Sequence, residues 1–264
     1  MSKAKPARGG ALGAQTDSEI VVVSYNIHRA VGGDGCKQPL RIAETIAALD
    51  ADLIALQEVE TPANVAAPRI FLQRLHELGY EAVLGHTMLR GPHHYGNLLL
   101  SRLPVLSQQR LDISQPGREP RGLIDVEVAW YPDVVAGTGA TGLRCLATHL
   151  GLRASERRRQ IAAILAHLDE VAALTRTPLV LMGDFNEWWP RQGRLASLNR
   201  HLGAAPALAS FPSRWPLLAL DRLWFGADLE LIETEVVRTK ATRAASDHLP
   251  LRARLRPHLG GAGA

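Results

Sequence analysis

Short apolar runs alternate with amphipathic segments from Ile20 onward, and they predict strands and helices in turn. Three segments carry apolar residues at helical spacing, and they begin near Pro39, Pro68 and Ser155. The third of these, SERRRQIAAILAHLDEVAAL, is the longest predicted helix, with Ser155 as its N-cap. The continuous apolar runs predict buried strands at IVVVSYNI, DLIALQEV, LRCLATHL and PLVLMGD.

The predicted strands outnumber the helices, and several follow one another directly. Further strands are predicted at EAVLGH, GNLLLS, PVLSQQRLDI, GLIDVEVAW, LDRLWF, LELIETEVV and LPLRARLR. A further helix is predicted around RQGRLASLNRHLG, and YPDVVAGTGATG is predicted to be a loop or a hairpin tip. A strict alternation of strand and helix would not give this order. Two mixed sheets packed face to face, with helices outside, fit it better.

The chain shows no internal repeat and no linker that would divide it, so we expect one domain over residues 19–257. Residues 1–18 are predicted to be a disordered tail and residues 258–264 a flexible one. The N-terminal segment has no apolar core of a secretory signal, and no run is long enough to span a membrane. Cys36 and Cys145 do not form a C-x-x-C motif, so we expect a reducing, cytoplasmic location.

The charge balance changes this picture only slightly. A net charge of +4 and a pI near 9.4 suit an anionic substrate, but they fall short of the dense basic patch of a dedicated nucleic-acid binder.

Polar side chains stand where the predicted apolar strands end, and this is the main sign of function. Taken alone, each has an ordinary structural explanation, such as a solvated strand end for Glu58 or a hydrogen-bonded core histidine for His149. Buried carboxylates and amides are costly unless they are paired or bind a cation, so several of them at strand ends predict a shared site. The candidate residues are Asn26, Glu58, His149, Asp184, Asn186, Asp221, Asp247 and His248.

The order of the motifs resembles that of the endonuclease/exonuclease/phosphatase superfamily. The motifs are SYNIH, LQEV, YGNLLLSR, ATHL, MGDFN, LDRLWF and SDHLPL, and the resemblance runs from Ile20 to about Arg256. GDFN with a downstream SDH is its most specific part. The resemblance implies an α/β (α+β type) fold, a four-layer αββα sandwich of two mixed β-sheets flanked by helices. It also implies hydrolysis of phosphate esters assisted by a divalent metal.

The resemblance implies that Asn26, Glu58 and Asp247 lie on the metal side of the site. The expected ion is Mg²⁺, with Mn²⁺ as the alternative. Magnesium takes one or two carboxylates and keeps several waters, whereas no Cys/His cluster suggests zinc.

The resemblance also implies catalytic roles for five residues. Asp184 and Asn186 correspond to the pair that positions the attacking water and a phosphate oxygen. His248 corresponds to the active-site histidine and Asp221 to the carboxylate that orients it. His149 corresponds to a second histidine of the deoxyribonuclease-like and sphingomyelinase-like branches.

Two substrate contacts are expected, at Asn97 and Arg121. Asn97 follows the GPHHYG segment, a region that the family often uses at the cleft edge, and the ordinary explanation of that segment is a polar turn. Arg121 resembles an arginine that reaches the substrate phosphate in related nucleases, with an exposed strand residue as the alternative. His28 stands where some apurinic endonucleases have an Asp, which argues against that branch.

Three features keep two or more explanations. The loop Gly32–Gly35 is either flexible or in contact with substrate. Arg157–Arg159 belong to a solvated helix face or meet an anionic partner. Trp188, Trp189 and Trp215 stack on bases, line a lipid-facing rim or pack the loops around the cleft.

The sequence therefore predicts a metal-dependent hydrolase of phosphate esters, a phosphodiesterase or phosphatase that uses in-line attack of an activated water. One alternative is a nuclease acting on DNA or RNA. Another is a catalytically inactive module that binds a phospho-ligand or a protein. We expect a monomer, and nucleic acid and phospholipid both remain among the candidate substrates.

Overall fold

The computed structural model describes residues 19–130, 142–175, 177–188 and 195–258, and within them twelve strands form two six-stranded sheets. The first sheet contains β1 (Ile20–Asn26), β2 (Leu53–Pro62), β3 (Glu81–Arg90), β4 (His93–Ser101), β11 (Leu229–Val236) and β12 (Leu251–Pro257). The second contains β5 (Val105–Asp112), β6 (Gly122–Val128), β7 (Leu143–His149), β8 (Leu179–Asp184), β9 (Gly203–Ala204) and β10 (Asp221–Phe225). Their spatial orders are β11–β12–β1–β2–β4–β3 and β5–β6–β7–β8–β10–β9.

Both sheets are mixed, with one parallel pair near the middle of each. β1 runs parallel to β2, and β7 runs parallel to β8, whereas the other pairs are antiparallel. The carboxyl ends of parallel neighbours lie at the same edge of a sheet, so each sheet presents two adjacent strand ends there.

Helices cover the outer faces of the two sheets. The helices α1 (Pro39–Leu49) and α2 (Ile70–Glu77) pack on the first sheet, and α3 (Ala154–Leu174) and α4 (Ala196–His201) pack on the second. A central apolar cluster lies between the sheets, so Val22 of β1 faces this cluster while Val23 faces the helices. Burial on both faces explains the unbroken apolar runs in the sequence. The prediction of a four-layer αββα sandwich is confirmed.

The boundaries of several elements differ from the sequence-based expectations. The N-cap of α3 is Arg153 and not Ser155, and no side chain caps this helix end. The alternative of a polar turn at GPHHYG is wrong in part, because β4 begins at His93, where two histidines hide the apolar pattern of the strand. α4 is confined to Ala196–His201, and residues 191–194 of the predicted helix lie outside the described residues.

Two short helices were not predicted. A 3-10 helix spans His28–Ala30, and α5 spans Lys240–Ala245, where a reciprocal capping box joins Thr239 and Thr242. Thr at the N3 position replaces the usual Glu or Gln of a capping box, so the motif is hard to see in the sequence.

Several predicted segments fall outside the described residues. These are the tails at residues 1–18 and 259–264, most of the YPDVVAGTGATG segment at residues 131–141, and Trp189. Among the residues that are described, no helix is both long and apolar enough to cross a membrane.

Candidate active site

The register of the strands brings the predicted polar residues to one edge of the sandwich. Asn26 pairs with Gln57 between β1 and β2, so Glu58 follows immediately beside Asn26. In the second sheet Asp184 is flanked on one side by His149 of β7 and on the other by Asp221 of β10. At this edge, the polar strand ends of one sheet therefore face those of the other.

Gly183 is required by the close approach of β8 to β7. A Cβ atom at this position would lie 2.0 Å from the carbonyl oxygen of Thr148. Its φ of +158° is also one that L side chains rarely adopt. The glycine of the GDFN motif thus allows Asp184 to sit directly beside His149.

Backbone strain is concentrated around these strand ends. Among the described residues, five of the six non-glycine residues with positive φ flank the site, the sixth being Asp50 at the end of α1. Such residues persist only when the surrounding structure holds them, and they are frequent at functional sites. The five are His28, Arg29, Ala30, Glu58 and Asn186.

Asp184 is the centre of the site and is almost completely buried. Its Oδ2 lies 3.0 Å from Asn26 Nδ2, 3.6 Å from His149 Nε2 and 3.7 Å from His248 Nε2. Its Oδ1 accepts a hydrogen bond of 2.9 Å from the backbone N–H of Asn186. One carboxylate is thus surrounded by an amide and two imidazoles.

Asn186 and His149 form a second buried contact beside Asp184. Asn186 Nδ2 lies 3.1 Å from His149 Nε2 and donates to the carbonyl of Leu150 at 2.9 Å. Burial lowers the pKa of His149 to about 3, and the nearby Arg121 cation lowers it further than Asp184 raises it. His149 is therefore neutral at physiological pH, and its Nε2 accepts from Asn186.

His248 and Asp221 form a buried pair of opposite character. His248 Nδ1 lies 2.9 Å from Asp221 Oδ2, which also accepts a hydrogen bond of 2.5 Å from Ser210 Oγ. Burial alone would lower the pKa of His248, but Asp221, and then Asp184 and Asp247, raise it to about 10. His248 is therefore a cation that points its Nε2 at Asp184.

The predicted metal residues meet at the end of β1. Asn26 Nδ2 lies 3.1 Å from Glu58 Oε1, and its Oδ1 accepts from the His28 backbone while keeping a second lone pair. Ser246 Oγ contacts both the Asn26 carbonyl, at 2.8 Å, and Asp247 Oδ1, at 3.3 Å. Ser246 thereby holds Asp247 next to Asn26, although Ser246 and Asn26 are 220 positions apart in the chain.

This donor set is typical of an open magnesium site and not of a site in which protein side chains surround the metal ion. Within the described parts of the chain, no group of three or more His, Cys, Asp or Glu side chains is arranged to hold a metal ion. The half-buried carboxylates of Glu58 and Asp247 and the amide oxygen of Asn26 are hard donors with access to water. Magnesium commonly binds through one or two carboxylates together with water and substrate oxygens.

Arg121 and Asn97 lie beside this group: Asn97 is on β4, next to β2, and Arg121 directly precedes β6, which pairs with β7. Arg121 is buried, so the alternative of an exposed strand residue is wrong, and its guanidinium pairs with Glu119 and with Tyr95. Asn97 is also buried, and its Nδ2 donates to the carbonyl of Gly122 at 3.1 Å. Arg121 brings positive charge to the site, whereas Asn97 joins the two sheets at its edge.

The sequence did not indicate a buried ion pair behind the site. Arg157 Nη2 lies 3.3 Å from Glu187 Oε2, and Arg157 Nη1 donates to the carbonyls of Gly151 and Leu152. This pair joins the first turn of α3 to the loops that follow His149 and Asn186. Arg157 is therefore not part of a solvated helix face, whereas Arg158 and Arg159 are exposed. Of the two partners, Glu187 directly follows the GDFN motif in the sequence.

The loop Gly32–Gly35 packs against α1 and α5. A Cβ atom on Gly32 would lie 2.0 Å from Arg41 Nη2 and 2.1 Å from the carbonyl oxygen of Ala244. Arg41 also pairs with Asp34. These contacts hold the loop beside the 3-10 helix that follows Asn26.

An aromatic path leads from His248 to the surface. The ring of Phe211 lies 4.8 Å from that of His248, and the ring of Trp188 lies 6.5 Å from that of Phe211. Trp188 and Trp215 are 43% and 73% exposed, so neither is simply core packing.

Comparison with known proteins gives one matching family model, described as the Endonuclease/Exonuclease/phosphatase family, which covers residues 23–248. The uncharacterized protein YbhP of Escherichia coli K12 is 26% identical over 252 residues, covering 89% of this chain and 95% of YbhP.

Two solved structures illustrate the shared fold. An endonuclease/exonuclease/phosphatase from Beutenbergia cavernae is 23% identical with a TM-score of 0.72, covering 90% of this chain and 72% of that one. The mannosyl-6-phosphatase Bt3783 of Bacteroides thetaiotaomicron is 18% identical with a TM-score of 0.67, covering 89% and 99%. At these identities the likeness concerns the fold alone.

Proposed function

Because the chain belongs to the endonuclease/exonuclease/phosphatase family, whose members are typically metal-dependent, we propose that it hydrolyses phosphate esters with the help of magnesium. The reaction is an in-line attack of water on phosphorus. The observation that carries the proposal is the position of Asp184, whose Oδ2 lies within 3.7 Å of Asn26, His149 and His248. Mannosyl-6-phosphatase Bt3783 supports phosphate-ester chemistry on this fold and leaves the present substrate open.

Asn26, Glu58 and Asp247 would hold the magnesium ion at the end of β1. When bound, the cation offsets negative charge on the phosphoryl group and on the leaving oxygen. The chain places these donors beside Asp184 through the hydrogen bond from Asn26 Nδ2. The metal residues and the water-positioning residues thus form one connected group.

Asp184 and Asn186 would hold the attacking water. Asp184 would accept a proton from the water as the new P–O bond forms and the P–O bond to the leaving oxygen breaks. The backbone N–H of Asn186 fixes the carboxylate through Oδ1, at 2.9 Å. Neutral His149 holds the Asn186 side chain in place.

His248 would stabilise the negative charge that develops on the phosphoryl oxygens. Its Nδ1–H is occupied by Asp221, so the protonated Nε2, which lies 3.7 Å from Asp184 Oδ2, is the atom that would face the reacting group. Arg121 adds a second fixed cation beside His149, on the same side of the site. Two cations from the protein suit a phosphate ester.

A cleft of about 490 Å³ continues from Arg121 between β3, β5 and β6. Its charged lining residues are Arg110, Arg121 and Asp112, whereas His86 is neutral because burial lowers its pKa to about 4. Such a cleft offers room for the part of the substrate beyond the scissile phosphate, and its cations favour an anionic molecule.

A panel of phosphoesters with magnesium present tests the proposal. The panel contains a small phosphomonoester, a small phosphodiester, a phospholipid and single-stranded DNA. We expect turnover of at least one, and we expect Asp184→Asn to abolish it while Asp169→Asn, an exposed control on α3, does not. Tight phosphate binding without any turnover would instead support the inactive binding module.

A further inference from the structure

A short loop beside the site carries the most exposed aromatic residue of the described chain. We define the tip loop as residues 211–218, between Ser210 and β10. Phe211 and Leu218 form an antiparallel bridge, and Leu217 N–H donates to the carbonyl of Phe211 at 2.8 Å. Trp215 N–H donates to the carbonyl of Pro212 at 3.1 Å. The loop is therefore a closed, hydrogen-bonded turn.

The end of the tip loop projects apolar side chains into solvent. Trp215 is 73% exposed and Leu217 is 80% exposed. A hydrogen-bonded backbone holds both side chains outward. Exposure of their apolar surface to water is unfavourable unless a partner covers it. Single exposed apolar residues are common, but an exposed Trp and Leu two positions apart on a fixed turn form a small apolar tip.

The base of the tip loop is attached to the active site. Ser213 N–H donates to the carbonyl of Asp247 at 2.6 Å, and Leu249 N–H donates to the carbonyl of Ser210 at 2.9 Å. The Phe211 ring contacts His248. Any surface that receives the tip is thus brought to the edge of the reacting centre.

Two basic segments, residues 205–220 and 237–246, surround the tip loop, and the acidic residues that directly follow them are Asp221 and Asp247 of the site. Neither segment contains an Asp or a Glu. They carry four exposed cations, namely Arg214, Arg238, Lys240 and Arg243. The two segments are in contact, because Ser213 Oγ donates to the carbonyl of Arg243 and Arg238 Nη2 donates to that of Ala209.

We propose that the tip loop docks the active site on the surface of an anionic phospholipid bilayer, and that the substrate is a phosphate ester of a lipid headgroup. The second part of this inference rests on the proposed function. Trp prefers the interfacial region of a bilayer, Leu inserts beside it, and cations attract anionic headgroups. All three features occur together on the tip loop and its neighbours.

A nucleic acid would explain fewer of these observations. Single-stranded nucleic acids stack their bases on aromatic rings and bind cations, which accounts for Trp215 and the arginines. Leu217 has no ring for stacking, yet it is held at 80% exposure next to Trp215. A bilayer accommodates both side chains, so the membrane is the better partner.

Sedimentation with lipid vesicles tests the docking separately from catalysis. The full chain is mixed with vesicles of phosphatidylcholine alone or with an equimolar amount of phosphatidylglycerol. We expect binding to the anionic vesicles only. The double substitution Trp215→Ser with Leu217→Ser should lower the affinity at least about tenfold, because two apolar side chains no longer insert.

Two further variants complete the design. Leu174→Ser removes an equally exposed apolar residue at the far end of α3 and should leave vesicle binding unchanged. Arg243→Gln should weaken binding roughly fivefold, since each cation near an anionic surface contributes about that factor. Hydrolysis of a small soluble phosphoester should be the same in the double variant as in the unmodified protein.

Failure of the docking and failure of the proposed function are distinguishable. Absence of binding to anionic vesicles, or equal binding by the double variant, overturns the docking. Trp215-dependent binding to single-stranded DNA without vesicle binding also overturns it and identifies a nucleic acid as the partner. Vesicle binding by a protein that hydrolyses no phosphoester leaves the docking intact and rejects the function.

Discussion

His248 and Asp221 show how two residues obtain a property that neither has alone. They are 27 positions apart in the chain, and the pairing of β10 with β8 places Asp221 where His248 Nδ1 can reach it. A buried imidazole would be neutral without the carboxylate, and a buried carboxylate would be costly without the imidazole. His149 lies on the other side of Asp184, with its Nε2 3.6 Å from Asp184 Oδ2, and it is neutral because burial and the Arg121 cation outweigh this carboxylate. The same residue type thus supplies a cation at one position and an acceptor at the other.

The pairing predicts non-additive losses of activity. Asp221→Asn should lower kcat by about 10²-fold, because His248 loses the carboxylate that orients it and keeps it charged. His248→Ala should lower kcat by roughly 10³-fold, because it removes the cation itself. The double variant should be close to His248→Ala alone, since groups that act as one unit lose their effect together. Steady-state kinetics on the best phosphoester of the panel provides the comparison. Losses that multiply would show that the two residues act independently.

The neutral state of His149 predicts a pH dependence of stability. Its pKa falls from 6.5 to about 3 on folding, so its stabilising contribution is complete above pH 6.5 and is lost as the pH falls towards 3. Between about pH 8 and about pH 5 the free energy of unfolding should fall by about 2 kcal/mol more in the unmodified protein than in His149→Gln. Urea unfolding with a chelator present measures both. An equal fall in the two proteins would mean that His149 titrates normally in the folded state.

At the scale of the elements, the site depends on how closely neighbouring strands approach. β7 and β8 run in parallel, and Gly183 lies against the carbonyl of Thr148 with no room for a side chain. The ion pair of Arg157 and Glu187 then fixes the loops that leave the two strands. The positions of His149, Asp184 and Asn186 are therefore set by backbone packing as much as by their own hydrogen bonds.

Gly183→Ala should destabilise the protein by roughly 1–3 kcal/mol and abolish most of the activity, because the new Cβ pushes β8 away from β7. Gly226→Ala is the matched control just beyond β10, since its Cβ would meet nothing closer than 3.5 Å. Thermal unfolding and phosphoester hydrolysis of the two variants should differ clearly. Full activity of Gly183→Ala would show that the strand spacing has more freedom than the structure indicates.

The sequence predicts elements well where burial dictates composition. The strands β1, β2, β7 and β8 are buried on both faces, so their apolar runs are unambiguous, and the polar residues that end them are the site residues. β4 was predicted too short because its first residues are histidines, and α5 was missed because six residues with a Thr-Thr cap give little periodicity. Arg157 was misjudged because a charge pattern does not reveal a partner 30 residues away.

At the scale of the whole molecule, the site joins the two sheets of the sandwich. The first sheet supplies Asn26 and Glu58, and the second supplies His149, Asp184 and Asp221. The segment before β12 adds Asp247 and His248, and Ser246 binds it to the end of β1. Neither sheet alone carries a complete set. The relative placement of the two sheets is not encoded in any local sequence pattern, so it could not be predicted from the individual strands.

The magnesium dependence of phosphoester hydrolysis, measured for the unmodified protein and for Glu58→Gln, tests the central claim most directly. Glu60→Gln is the matched control, because Glu60 lies two residues further along β2 and pairs with Lys37, whereas Glu58 contacts Asn26. We expect activity that a chelator removes and magnesium restores, the same behaviour in Glu60→Gln, and a loss of about 100-fold in Glu58→Gln with the fold intact. Activity that is indifferent to the chelator, or full turnover by Glu58→Gln at saturating magnesium, would contradict the account.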